Sequence, residues 1–266
     1  MKKASLVVLA AALLGFVQYA QAEEVKSVNV VGFYKITVPP QAKMVMAALQ
    51  FDAIDPANQN LLGIFGTNTL LAGSVPSEAD RLYLWDTGSS KWKQYYLMND
   101  DGDFPWQFSL TSGAASPTNP PLKAGQGFFI QSPNIPDPHT VTIAGQVVAV
   151  ATQKVQVVQN FQLLGYPFSS STTLKDLSVT TMDPPRGGEV PSESDRVYLY
   201  DSATGYKQYW LGQSPDLNTP GTNWFLSTDP NGNNPTNPPL ALGQGFFYQA
   251  KSGFEWVETN AYINNL

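Results

Sequence analysis

The chain has 266 residues, no cysteine and a formal net charge of −6 at pH 7. The lack of cysteine excludes disulfides and a lipid attached to an N-terminal cysteine. The acidic balance disfavours nucleic acid as a partner, because phosphate binding needs a basic stripe. The 21 glycines and 21 prolines, together with short apolar runs, predict an all-β fold.

The first segment has the layout of a secretory signal peptide. Two lysines precede an apolar run from Ala4 to Val17, and Ala20-Gln21-Ala22 supplies the small residues of a cleavage site. Gln18 ends the run before the roughly 20 apolar residues that a membrane helix needs. We therefore interpret residues 1–22 as a cleaved signal. The expected location is outside the cytoplasm, with no membrane span.

A long stretch of the sequence occurs twice. Residues 117–132 and 235–250 are identical at 12 of 16 positions. A second block, residues 75–86, returns in the same order at residues 190–201. Self-similarity of this kind predicts a tandem duplication.

The duplication predicts two homologous antiparallel β-sandwich or barrel-like units in tandem, residues 23–147 and 148–266. Each unit is close to the usual size of a domain. Val28–Val38 and its counterpart Val147–Val158 would open the two units, so the segment near Val147 could end one unit and begin the next. We expect the units to be related by a pseudo-twofold axis or to share strands.

The first predicted strand carries apolar residues of one parity, which is typical of a strand with one buried face. Gly32 interrupts the pattern and predicts a bulge or bend. Because this strand follows closely on the cleavage site, we expect it to add to the sheet of a neighbouring copy and so to drive self-association. The candidate assembly residues are Val28, Val30, Tyr34, Ile36 and Val38.

Two aromatic hairpins follow the repeated Val-Pro-Ser-Glu turns. In the first, Leu82 and Leu84 share one face, and Tyr83 and Trp85 share the other. Rings on a solvent face would form a platform that stacks on sugars, whereas rings on an inner face would be core or the seam between the units. Strands that are apolar on both faces are more often buried on both, which favours core or seam. The candidate platform residues are Tyr83, Trp85, Trp92, Tyr96, Tyr198, Tyr200, Tyr206 and Trp210.

Few residues suggest catalysis. His139 is the only histidine, which excludes a histidine-rich metal site, and we predict that it lies in a surface loop. Glu78 and Asp80 recur as Glu193 and Asp195, and such pairs could serve a glycosidase. Because the same group appears beside an arginine in both copies, a structural role in turns and ion pairs is favoured. No catalytic residue is assigned, and a secreted glycoside hydrolase is the most distant alternative.

Two polar loops are weak candidates for calcium, because they offer oxygen ligands at alternate positions. Neither loop matches the EF-hand pattern, and their residues are also ordinary turn residues. We therefore expect no metal and no other cofactor. The residues in question are Asn99, Asp101 and Asp103 in the first loop and Asp229, Asn231 and Asn233 in the second.

The chain resembles a family of secreted tandem β-repeat proteins that some environmental Gram-negative bacteria encode in many copies. The matching marks are Val28-Asn29-Val30-Val31-Gly32-Phe33, Ala79-Asp80-Arg81-Leu82-Tyr83-Leu84-Trp85-Asp86 and Leu122-Lys123-Ala124-Gly125-Gln126-Gly127-Phe128-Phe129. The resemblance covers nearly all of the chain after the signal. It implies a location in the periplasm, at the cell surface or in the medium of a Gram-negative bacterium, and a tandem β architecture, but no activity and no catalytic residue.

The expected function is that of a non-enzymatic secreted or cell-surface structural protein whose partner is a second copy of itself. The alternative is a carbohydrate-binding module whose aromatic hairpins bind extracellular polysaccharide.

Overall fold

The computed structural model describes residues 30–99, 106–109, 115–182, 186–213 and 222–260, and for 106–109 and 115–117 it describes the backbone alone. The predicted signal, residues 1–22, and the candidate assembly residue Val28 lie outside these ranges. The chain from Val31 onward belongs to one compact unit.

The described residues form an all-β protein, as predicted. They contain one short helix, α1 (Leu61–Phe65), and three 3₁₀ turns, Pro56–Asn58, Leu174–Asp176 and Ser178–Thr181. None of these helical segments is long and apolar enough to cross a bilayer. The strands are β1 (Val31–Val38), β2 (Met44–Ala48), β3 (Phe51–Asp52), β4 (Arg81–Asp86), β5 (Lys91–Leu97), β6 (Trp106–Ser109), β7 (Ala115–Pro117), β8 (Gly127–Gln131), β9 (His139–Val147), β10 (Thr152–Val157), β11 (Asn160–Gly165), β12 (Thr172–Thr173), β13 (Arg196–Asp201), β14 (Gly205–Gln213), β15 (Thr222–Leu226), β16 (Pro235–Thr236), β17 (Pro239–Leu240), β18 (Gly245–Ala250) and β19 (Phe254–Thr259).

Two six-stranded antiparallel sheets have the same internal strand order. The first runs β2-β8-β4-β5-β6-β7, and the second runs β11-β18-β13-β14-β15-β16. The repeated sequence blocks occupy matching strands, since β4 corresponds to β13 and β8 to β18. We call residues 31–147 the first half and residues 148–260 the second half. None of the described sheets closes on itself, so the barrel-like alternative does not apply.

A smaller sheet covers one face of each large sheet. In the first half β9 pairs with β1 along eight residues and with β3 at its end. In the second half β10 pairs with β19. Tyr34 of β1 packs with Leu82 and Phe128 of the large sheet in one core, and Trp256 of β19 packs with Val197 in the other. Each half is therefore a two-layered sandwich around its own core.

Strand sharing is not observed among the described strands. The sequence predicted that a strand from Val147 to Val158 would serve both units. Instead β9 ends at Val147 and β10 begins at Thr152, and each pairs within its own half. The residues between them are a connection.

Gly32 does not form the predicted bulge. It pairs with Gly145 in the unbroken register of β1 and β9. A Cβ atom at Gly32 would lie 2.8 Å from the ring of Phe51, and one at Gly145 would lie 2.4 Å from the carbonyl oxygen of Asp52. The two positions require glycine because Phe51 and Asp52 of β3 pack closely against this pair, and not because the strand bends.

The two halves meet through reciprocal backbone contacts. The N–H of Ala48 donates to the carbonyl of Gly243 at 2.8 Å, and the N–H of Gly165 donates to the carbonyl of Gly125 at 2.9 Å. Ala48 and Gly165 end the edge strands β2 and β11, while the two acceptors precede β8 and β18. The edge of each large sheet is thus hydrogen-bonded to the other half.

Candidate functional site

Strand β1 is the outer strand of the sheet β1-β9-β3, and on its free side it has no partner strand among the described residues. Tyr34, Ile36 and Val38 are buried as the sequence parity predicts. On its outward face Val31 is 57% exposed and Phe33 is 65% exposed. An unpaired edge beside exposed apolar side chains is a template for pairing with another chain.

Val30, a candidate assembly residue, also departs from the predicted parity, because it lies ahead of β1 and is exposed. The exposed apolar residues are Val30, ahead of β1, and Val31 and Phe33 within it, and only Val30 was a candidate. Val31 and Phe33 were missed because they have the opposite parity to the residues that were predicted to form the apolar face.

The edges of the large sheets are less suited to pairing. The large sheets end at the short strands β7 and β16, in which Pro117 and Pro235 each lack a backbone N–H. Their opposite edges, β2 and β11, contact the other half, as described above.

The second half has a strand that corresponds to β1 but is more polar. Val38 pairs with the first residue of β9, and Val157 pairs with the first residue of β19, which aligns Phe33 with Thr152. A threonine thus stands where β1 exposes a phenylalanine. The difference lies in the apolar side chain and not in charge, because Lys35 of β1, at the position of Lys154, is exposed as well.

The aromatic hairpins meet each other at the seam between the halves. Leu82 and Leu84 share one face of β4, as predicted, and that face is the buried inner one. From the other face, the ring of Trp85 lies 6.0 Å from that of Phe247, and the Trp85 indole N–H donates to the carbonyl of Phe161 at 2.9 Å. Phe129 lies 5.4 Å from Tyr200 across the same seam. These rings hold the halves together.

The remaining candidate platform residues do not form one surface. Tyr96 and Trp210 are 2% exposed, so they cannot stack on a ligand in this structure. Both lie in the later part of the interior strands β5 and β14, where successive residues are buried on both faces. Tyr83 and Tyr198 are partly buried, and Tyr198 donates to the side-chain oxygen of Gln249 at 2.8 Å. Of the eight, only Trp92 and Tyr206 are classed as exposed.

In the second half, the repeated acidic motif places Asp195 in a buried network. Its two carboxylate oxygens accept hydrogen bonds from the guanidinium of Arg186 at 2.8 and 3.2 Å. The Tyr248 hydroxyl and the backbone N–H of Lys251 each donate to it at 2.8 Å. The neighbouring Arg196, the partner that the sequence suggested, donates to the carbonyl of Pro191 instead. The structural role was predicted, but the arginine was not.

The first half builds the same motif with fewer donors. Oδ2 of Asp80 lies 2.8 Å from Nε2 of His139 and accepts the N–H of Leu71 at 2.9 Å. Oδ1 of Asp80 and Nδ1 of His139 have no hydrogen-bond partner among the described residues. Two donors of the second half are missing here. Leu71 occupies the position of Arg186, and Pro133 occupies the position of Lys251 but has no N–H. Burial consequently raises the pKa of Asp80.

His139 is therefore not the surface-loop histidine that the sequence predicted. It begins β9, and its side chain is 19% exposed beside a fully buried carboxylate. Comparison of the two halves could not reveal this contact, because the second half has Phe254 at the corresponding position.

The acidic residues do not make a glycosidase pair. Glu78 and Glu193 are exposed on the turns, whereas Asp80 and Asp195 are fully buried beneath them. Both carboxyl groups of such an enzyme must reach the glycosidic bond. The buried members cannot do so in this structure.

The second calcium candidate loop is closed by its own hydrogen bonds. The Asp229 carboxylate accepts the backbone N–H of Asn234 at 2.6 Å, and this backbone hydrogen bond is the main cause that lowers the pKa of Asp229. Asn231 and Asn233 lie in the same turn. In the first loop Asn99 is exposed, and Asp101 and Asp103 lie outside the described residues. Where side chains are described, no three His, Cys, Asp or Glu residues converge to hold a metal ion.

Comparisons with known proteins do not place the chain. No protein-family model matches it, and neither do curated proteins or solved structures. The resemblance to secreted tandem β-repeat proteins therefore stays a prediction.

Proposed function

We propose that this is a non-enzymatic protein of the cell exterior that associates with further copies of itself through β1. The observation that carries the proposal is the open edge of this eight-residue strand, flanked by the exposed side chains of Val31 and Phe33. Secretion rests on the sequence of residues 1–22 alone.

A second copy is the occupant that best suits this edge. If β1 of one copy pairs antiparallel with β1 of another, the two sheets β1-β9-β3 join into one. Backbone hydrogen bonds would supply affinity, and the apolar side chains of the two strands would cover each other. The same surface would serve both copies, as in a twofold symmetric dimer.

A non-enzymatic role is supported by the acidic motif. Its most distinctive carboxylates, Asp80 and Asp195, are committed to internal contacts and have no exposed surface.

We also propose that the halves are products of a tandem duplication related by a pseudo-twofold axis. The support is the matching strand order of the large sheets and the reciprocal bonds at Ala48 and Gly165.

The test is a change on the outward face of β1 that leaves the core intact. Deleting the strand would also remove Tyr34, Ile36 and Val38 from the core, so substitution is preferable. Val31→Thr combined with Phe33→Thr removes the apolar face, and Val150→Thr, at the position in the second half that corresponds to Val31, is the control. Val150 is likewise exposed, at 50%.

The measurement is sedimentation velocity of the chain without residues 1–22 across a wide concentration range. We expect the parent protein and the control to form oligomers as concentration rises, and the double variant to stay monomeric with an unchanged melting temperature. A parent protein that is monomeric throughout, or a double variant that associates like the parent, would refute the proposal.

A further inference from the structure

A polar cleft of about 410 Å³ lies where the two halves meet. The first half contributes Trp85, Lys123 and Gln126 to its wall, and the second half contributes Lys154, Gln156 and Gln162. A volume of this size accommodates a small ligand or one sugar unit of a longer chain. The cleft is separate from the outward face of β1, whose residues do not line it.

The charge in the cleft runs against that of the whole protein. Its lining includes Lys123 and Lys154 but no Asp or Glu, although the chain has an excess of acidic residues. The ammonium of Lys154 pairs with Glu255 at the margin, and both side chains are well exposed. Lys123 is exposed and makes no ion pair within the described residues. Its positive charge is therefore available to an anionic ligand.

The remaining wall residues suit a hydroxylated ring. Trp85 is partly exposed at the cleft, where an indole can pack against the apolar face of a sugar. Gln126 Oε1 accepts the N–H of Lys123 at 3.3 Å and Gln156 Nε2 donates to the carbonyl of Phe254 at 3.1 Å, which leaves Gln126 Nε2 and Gln156 Oε1 for hydroxyls. The Gln162 amide is anchored, since its oxygen accepts the N–H of Val158 at 3.1 Å and its nitrogen donates to the carbonyl of Gln156 at 3.2 Å. Such anchoring limits the entropy that ordering the wall would cost.

The matching position in the other half is built differently. There Ala241 replaces Lys123, and Tyr200 replaces Trp85. The ring of Tyr34 packs so closely over Gly243 that a Cβ on this glycine would lie 2.5 Å from it. Gln153 stands at the position of Tyr34 in the second half, opposite Glu258 as Tyr34 is opposite Ile143. On the side of the cleft, the residue at the position of this tyrosine is therefore a glutamine with no ring.

We infer that this cleft binds an acidic saccharide, with the carboxylate of a uronic acid unit at Lys123 and its ring against Trp85. The site would give an assembly of these chains a way to hold acidic polysaccharide, but it does not depend on self-association.

The experiment is isothermal titration of the chain without residues 1–22 with trigalacturonate. The methyl ester of the same trisaccharide keeps the ring and removes the charge, and acetate keeps the charge and lacks the ring. We expect the acid to bind and the ester and acetate to bind at least about tenfold more weakly, since a charge-assisted hydrogen bond and ring contacts are lost.

Lys123→Ala introduces the residue that the other half has at this position. We expect it to weaken binding of trigalacturonate about tenfold without changing the melting temperature. The matched control is Lys35→Ala, because Lys35 is the counterpart of Lys154 on β1, is exposed and does not line the cleft. This control should bind within about twofold of the parent.

The inference is overturned if the parent does not bind the acid, if the ester binds equally well, if acetate alone reproduces the affinity, or if Lys123→Ala has no effect. Repeating the titration with the Val31→Thr, Phe33→Thr variant separates the two proposals. Binding that persists in that variant supports the cleft whatever the outcome of the assembly experiment, and binding lost only there refutes an independent site.

Discussion

Replacing Arg186 by leucine, the residue that the first half has at this position, should strongly destabilise the protein. The guanidinium and the carboxylate of Asp195 have side chains only 10% and 1% exposed. Removing one partner of a buried ion pair leaves the other charge without compensation, which costs about 3–5 kcal/mol. The substitution also removes a cation–π contact, because the guanidinium lies 4.2 Å from the centre of the Phe254 ring, a contact worth roughly 0.5–1 kcal/mol.

The Tyr248 hydroxyl and the Lys251 N–H remain as donors to Asp195, so we expect the loss to fall near 3 kcal/mol. For a chain of this size each kcal/mol shifts the melting temperature by about 2–4 °C, which gives a decrease of roughly 6–12 °C. Denaturant titration and thermal melting followed by circular dichroism measure both quantities.

Two further variants control the result. Lys154→Met breaks the exposed pair with Glu255, and exposed pairs contribute no more than about 1 kcal/mol. Adding Asp195→Asn to Arg186→Leu removes the stranded charge and should restore part of the lost stability. If Arg186→Leu costs under about 1 kcal/mol, or if the second change restores nothing, the charge of Asp195 does not depend on Arg186 and the reasoning is wrong.

Three further predictions concern the seam, a carboxyl group and a buried indole. Gly165→Ala would bring a Cβ to 2.1 Å from that of Ala48 and should cost about 1–3 kcal/mol in denaturant titration, whereas Gly88→Ala, whose nearest contact is 3.4 Å, should cost much less. Burial raises the pKa of Glu258 above 4.5, so the free energy of unfolding that this group contributes is present below pH 4.5 and is lost as pH rises through its folded pKa. Glu258→Gln should abolish that part of the pH profile, and an unchanged profile would contradict the assignment. Trp224→Phe removes an indole N–H that donates to two buried oxygens and should lower the free energy of unfolding by about 1–3 kcal/mol. If that free energy does not fall, these hydrogen bonds do not stabilise the fold.

Local alternation in the sequence predicted the hairpin strands well. Leu82 and Leu84 are buried together on β4 because a strand presents alternate residues to one face. The same rule located Tyr34, Ile36 and Val38 in the core. These positions depend on contacts across a single sheet, which the period of the sequence reports directly.

Contacts between distant segments could not be predicted from the sequence. Gly32 looked like a bulge, but the reason for a glycine there is the close approach of Phe51 on another strand. Arg186 and His139 were missed as partners of the repeated aspartates because they lie outside the repeated blocks and differ between the halves. The one available sequence signal for Arg186 was that it aligns with Leu71, an apolar residue, in the first half.

The preference for a seam over a sugar-binding platform depended on the fact that both faces of the hairpins are apolar. That argument anticipated Trp85 and Tyr200 at the junction, but it could not separate them from Tyr96 and Trp210, which are buried within the sheets. The cleft also escaped notice, because its walls come from three separate stretches of the sequence, at residues 85–87, 123–127 and 154–164.

The reciprocal bonds at Ala48 and Gly165 have a consequence for any gene fragment that encodes a single half. Such a fragment would expose the edge strand of its large sheet, β2 or β11, and the aromatic rings of the seam, both of which the other half normally covers. It should therefore recruit a like fragment in solution, and two separately expressed pieces should find each other and rebuild the parent.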